Sequence, residues 1–365
     1  MRHLRWAAAA ATALTLTLTA CSGDEPDVSS TPTSQSPSPS PTESEAPTPS
    51  AAPESDRPPA ELDWQPVAGP IGETVTRNTD WTLTVKRNGA GWSLDGPQAG
   101  TGGGASGWRV SDALLDEDWA VVVLADRTET KPSRAEVTDL ATGDSFVIDG
   151  SSDVPATTGG SWALGDGRLL HATYGPGRAY CLASVDLDSR ESSLGWCAPK
   201  QHGFNGARIA PGGTSVLSFN AGRISCRTLM SIDGTEATPF DDVEECTAWD
   251  GLRTDDGLVW SVIAKERQIE TADFFAREGG ELADLGPGTA GSLVWCGDAA
   301  YFVRDPQDDG DPAALMRWAA ADGLSVAYES PGGRAFLSEP RCGGDHLTIT
   351  ALAEAGDEQV TASLS

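Results

Sequence analysis

Past position 21, the residues able to do chemistry are few: three histidines (His171, His202 and His346), six cysteines and scattered carboxylates. No HExxH or CxxC pattern arranges them for zinc, and no GxSxG turn presents a nucleophilic serine. A Ser-His-Asp triad stays open, because triads assemble in space and leave no fixed spacing. The best oxygen-ligand cluster is Asp305, Asp308, Asp309 and Asp311, with Gly310 turning the loop. Hard cations such as Ca2+ prefer several such ligands. The spacing departs from Asp-x-Asp-x-Asp-Gly and the terminal bidentate Glu is missing, so a solvated hairpin tip is the competing expectation. No other cofactor is indicated.

The elements carrying these residues are short apolar runs. From Asp63 onward, Trp, Val and Leu come in groups of four to eight between Gly, Asp and Asn turns, as at 119–124, 258–263 and 347–350. Such runs read as strands. Two turns recur. One precedes an apolar strand, at 78–81, 116–119, 165–168, 211–214, 255–258, 296–299 and 343–346. The other follows a shorter strand, and its second residue falls at 96, 143, 189, 234, 280 and 323, spaced by 47, 46, 45, 46 and 43. Gly and Asp tolerate the positive φ of tight hairpins, so each pair marks a strand reversal.

A period near 45 with four strands per unit matches a β-propeller blade. The expected fold is all-β, a single β-propeller of seven blades over residues 62–365. The last blade lacks its outer strand, which residues 63–67 could supply to close the ring. Residues 97–107 are too Gly-rich for a clear strand; if they form a loop, six blades and an N-terminal hairpin remain. The turn Asp139-Leu-Ala-Thr-Gly143 resembles that of quinoprotein-like and WD-like propeller repeats, with 186–190 a looser copy. In that family a Trp follows closely and docks neighbouring blades, a place taken here by Phe146 and Trp196. Eleven of the twelve tryptophans lie past residue 62 and suit packing between blades, with carbohydrate stacking as the alternative.

The N-terminus carries different information. Arg2, Arg5, an apolar stretch over 7–18 and Thr19-Ala20 read as a secretory signal of residues 1–20. Leu18-Thr19-Ala20-Cys21 resembles the lipobox of bacterial lipoproteins, of the actinobacterial type. That resemblance implies a Cys21 bearing diacylglyceryl and palmitate-like chains, which would hold the protein on the outer face of the cell membrane. Residues 21–61 are Ser, Thr and Pro-rich without apolar periodicity, so a disordered tether is expected. At about 3.1 Å per residue in polyproline II, it could reach on the order of 100 Å.

Six cysteines past Cys21 in an exported chain favour three disulfides. Cys181 and Cys197 flank one outer hairpin turn, and Cys226 and Cys246 flank the next. Residues opposed across a hairpin lie within disulfide reach. Cys296 and Cys342 each precede an inner turn one blade apart; they are paired partly by elimination.

The formal charge of −29 repels nucleic acid and excludes it as a partner. With no catalytic motif visible, the expectation is not an enzyme but a monomeric, non-catalytic binding or scaffolding module for an envelope protein or glycan. The alternative is a propeller hydrolase or lyase with a carboxylate-lined central channel. Three or more carboxylates converging on one pocket would favour that alternative.

Overall fold

A computed structural model describes residues 50–51, 62–103, 106–264 and 271–364. Cys21 and most of the tether lie outside them. Each recurrent turn reverses the chain between antiparallel strands, and the result is seven blades. The innermost strands of blades 1 to 7 are Thr74–Arg77, Trp108–Leu115, Trp162–Gly165, His202–Ala210, Ala248–Arg253, Val294–Cys296 and Arg341–Cys342. All seven line one central channel. The first type of turn joins each inner strand to the second strand of its blade, and the second type makes the outer hairpin in blades 1 to 6.

The Gly-rich stretch is a strand, which sets aside the six-blade alternative. Gly100–Gly103 pairs with Gly91–Asp95 as the outer edge of blade 1. A Cβ on Gly102 would meet the Trp92 indole nitrogen at 2.5 Å. The missing side chain is therefore what lets the strand lie against the ring.

Blade 7 is completed from the other end of the chain. Gln65–Pro66 pairs antiparallel with Glu358–Ser363. Trp64 anchors this strand: its indole N–H donates to the Ala327 carbonyl at 2.8 Å, and its ring meets Tyr328 edge-on at 5.2 Å. Ser50–Ala51, within the expected tether, runs parallel to Ala283 and Asp284 at the outer edge of blade 5.

Apolar side chains alternate along the strands and fill the spaces between blades. Among the described residues there are six buried apolar clusters, one at each interface from blades 1–2 through blades 6–7. Phe274 stacked on Phe302 at 4.1 Å joins blades 5 and 6. Trp196 packs on Phe204 at 5.7 Å between blades 3 and 4, and Phe146 lies under the Arg190 guanidinium of blade 3 at 5.1 Å.

The seventh interface, between blades 7 and 1, is polar. Thr348, Gln359 and Thr361 are buried there. The Gln359 amide donates to the Glu73 carbonyl at 3.2 Å and to the Thr350 hydroxyl at 2.8 Å. Disulfides add covalent ties at Cys181–Cys197, Cys226–Cys246 and Cys296–Cys342. The first lies within blade 3, and the last joins the inner strands of blades 6 and 7.

Candidate functional site: the central channel

Small side chains on the inner strands, among them Ala113, Ala163, Gly206 and Ala207, leave the centre open as a cavity of about 810 Å3. Five carboxylates line it, Asp112, Asp116, Glu117, Asp166 and Glu339, against two guanidiniums, Arg208 and Arg341. The channel is thus a concave site with convergent charged groups, which makes it the candidate functional site.

Asp112 projects from the inner strand of blade 2, where a register shift between Val110 and Asp112 bends the chain. Such a bulge re-aims side chains. Its carboxylate accepts the Ala113 N–H at 2.9 Å and lies 3.9 Å from the Arg341 guanidinium. Burial pushes this carboxyl above the ordinary range, Arg341 and the Ala113 N–H oppose the rise, and Glu339 adds to it.

Asp116 begins the inner turn of the same blade. Its Oδ1 accepts N–H groups from Trp119 at 2.7 Å and Asp118 at 3.0 Å. Burial nevertheless pushes it up to about 6, with the charges of Asp118 and Glu117 in the same direction. The equivalent residue of blade 1 is Asn78, whose Oδ1 accepts Trp81 and Asp80 N–H groups at 2.7 and 3.1 Å.

Two contacts cross the channel wall beyond nearest neighbours. Arg341 of blade 7 reaches Asp112 of blade 2, and a Cβ on Gly344 (φ +91°) would meet Glu117 Cγ at 2.7 Å. Blades 7 and 2 thus meet in front of the inner strand of blade 1. On another side, Arg208 of blade 4 pairs with Asp250 of blade 5 at 2.8 Å and donates to the Leu293 carbonyl ahead of blade 6. Asp250 is buried, and its other oxygen accepts the Ser261 hydroxyl at 3.0 Å and the Gly291 N–H at 2.6 Å.

The residues singled out by type lie elsewhere. His171 is fully buried and stacks on Trp162 at 5.1 Å; Nδ1–H donates to the Ala172 carbonyl at 3.1 Å, and burial lowers its pKa. His202 lies 3.2 Å from the Lys200 carbonyl, and His346 lies 2.8 Å from Asp345. None of the three lines the channel.

The four aspartates of the expected calcium loop do not converge. Asp305 accepts the Thr289 hydroxyl at 2.8 Å, while Asp308, Asp309 and Asp311 are exposed. Among the described residues, the one trio of metal-type ligand atoms within 4.8 Å of each other is Cys226, Glu245 and Cys246. Two of these are spent in a disulfide. The channel carboxylates were not singled out in sequence, because blades 2, 3 and 7 contribute them at no common spacing. Asp116, Glu117 and Asp166 carried a partial signal, as residues of the recurrent turns at 116–119 and 165–168; Asp112 and Glu339 carried none.

No protein family matches the chain by sequence, and no curated protein matches it. Solved structures do. One, from a study of two prolyl endopeptidases and the role of inter-domain dynamics in their catalysis and specificity, superposes with a TM-score of 0.55 at 12% identity. It covers 80% of this chain, which spans only 47% of that protein. The β-propeller domain of the Trilobed protease from Pyrococcus furiosus, described as having an open velcro topology, gives 0.52 at 10% identity, covering 80% and 97%.

These neighbours and the channel correct the first functional expectation. A non-catalytic binding or scaffolding module does not stand, since the similar solved propellers come from peptidases and five carboxylates line one pocket. The chain is a seven-bladed β-propeller, closed by its own N-terminal strand.

Proposed function

We propose that this chain is a hydrolase-type propeller that takes an extended, positively charged peptide into its central channel as substrate. The observation that carries this reading is the channel lining, where carboxylates outnumber guanidiniums five to two. The fold's likeness to peptidase propellers agrees with it. Asp116, near 6, can accept a proton at neutral pH, and Asp112 beside Arg341 is a second carboxyl that burial raises above its ordinary value. Raised carboxyls gathered in a cleft are the usual tools of acid–base chemistry.

The test is incubation of the purified protein with a lysine- and arginine-containing peptide library, read by mass spectrometry. Cleavage is expected, reduced about tenfold or more by Asp116→Asn. Peptides left intact and unretained would overturn the reading.

The propeller would work outside the cytoplasm, tethered to the outer face of the cell membrane through lipidated Cys21. Two acyl chains on one residue suffice for stable anchoring. Cys21→Ser should release the protein into the medium; a variant still on the membrane would exclude the lipid anchor.

A further inference from the structure

The polar interface between blades 7 and 1 is incompletely filled. A groove of about 280 Å3 opens there, distinct from the channel but sharing Glu339 and Arg341 with it. Its outer part is apolar. Phe336 and Leu352 face each other across the Ala335–Leu337 and His346–Ala353 pairing, and both are unusually exposed for large apolar side chains, at 57% and 49%. Ile71, in the segment leading from the closing strand into blade 1, lies on the same groove.

Its inner part changes character. Thr348, Thr350 and Gln359 give it a polar floor, and Glu339 stands where the groove meets the channel. The inner strand of blade 7 is interrupted here, between Leu337 and Arg341. The Ser338 N–H and hydroxyl are occupied by Thr350 of the neighbouring strand.

We infer that this groove is a side-chain subsite of the channel, holding an apolar or aromatic residue of a bound peptide while an adjacent lysine or arginine faces Glu339 and Asp112. The inference rests on the peptide reading of the channel. An apolar mouth explains the first half, because Phe336 and Leu352 lose water only when covered. Charge explains the second. Carboxylates exceed guanidiniums on the channel, and Glu339, half exposed and 3.9 Å from Arg341, is the one carboxylate that both cavities share. Glu339 and Arg341 line both cavities, so on this inference an extended chain spans the two, with the groove reading identity and the channel reading charge.

The test uses the intact protein and two fluorescent hexapeptides, identical except for Phe or Ser next to a central Lys, with binding read by anisotropy. The Phe peptide is expected to bind about tenfold tighter. Phe336→Ala should reduce that preference below about threefold and leave the Ser peptide unchanged; Leu352→Ser should act in the same direction. Both side chains are exposed, so neither change should disturb folding, and circular dichroism checks this. Equal binding of the two peptides, or a preference that survives both variants, would overturn the subsite and leave the channel reading standing. Binding of neither peptide would overturn both. Sedimentation should show one copy at all concentrations; a dimer abolished by Phe336→Ala would instead assign the groove to self-association and overturn the peptide occupant.

Discussion

At the scale of single residues, Asp116 and Asn78 do the same structural work with different chemistry. Each accepts N–H groups of its own inner turn through one side-chain oxygen, but only Asp116 must ionise in a buried setting. Its carboxyl, raised from 3.8 to about 6, stays protonated in the folded protein over a range where the unfolded chain has ionised. The contribution to stability is therefore fully present below pH 4 and lost as pH rises through 6. Asp116→Asn keeps the acceptor and removes the charge. After a discount for partial exposure to the channel, it should stabilise by about 1 kcal/mol at pH 8 and by nothing at pH 3.5. Melting curves at the two pH values measure this, and a gain at both would assign the effect to something other than ionisation. The same variant should cut peptide cleavage, which would make Asp116 a place where stability is given up for activity.

At the scale of strands and turns, the sequence was readable wherever local chemistry dictates backbone. Gly143, Gly234 and Gly323 adopt positive φ in outer hairpins, so their spacing could be counted without any knowledge of tertiary contacts. The strand Gly100–Gly103 was the exception: its glycines serve the Trp92 ring, and propensity alone reads them as a loop. Channel residues were illegible for a related reason. Asp112, Arg341 and Glu339 are brought together by closure of the ring, and nothing local marks them. The Arg208–Asp250 pair was equally hidden, and it tests how inner strands are held together. Arg208→Met would leave the buried Asp250 with a charge but no cation, at a cost of about 3 kcal/mol. Asp250→Leu in the same protein should recover part of that loss, because the buried carboxylate is then gone while the Ser261 hydroxyl and the Gly291 N–H lose their acceptor. A double variant no more stable than Arg208→Met in thermal unfolding would show that the pair matters for geometry rather than charge.

At the scale of the whole molecule, the ring has one interface unlike the rest. Six are sealed by apolar clusters, and Cys296–Cys342 also ties blade 6 to blade 7. The seam between blades 7 and 1 relies on Gln359, on Asp345 accepting from Thr79, and on the chain itself, which crosses from the closing strand into blade 1. That strand contributes only Gln65 and Pro66 to the ladder, with the Val67 N–H bonded to the Gln359 carbonyl at 2.8 Å, and Leu62 and Trp64 beside it pack on the apolar cluster between blades 6 and 7. Removing residues 61–70 would expose the outer edge of Glu358–Ser363. It would also uncover Tyr328 and remove the covalent lead from the closing strand into blade 1, leaving that seam to Gln359 and Asp345. Because each blade is held by its neighbours, an opened ring loses support on both sides of the gap. A loss of about 3 kcal/mol from this burial should lower the melting temperature by about 5 °C. Amide exchange should quicken first along His346–Ala353 and Thr74–Arg77, the strands flanking the seam. Trp64→Ala should reproduce a third or more of the shift while leaving the chain continuous. An unchanged melting temperature, or faster exchange confined to blades 3 and 4, would show that the ring does not depend on its closing strand.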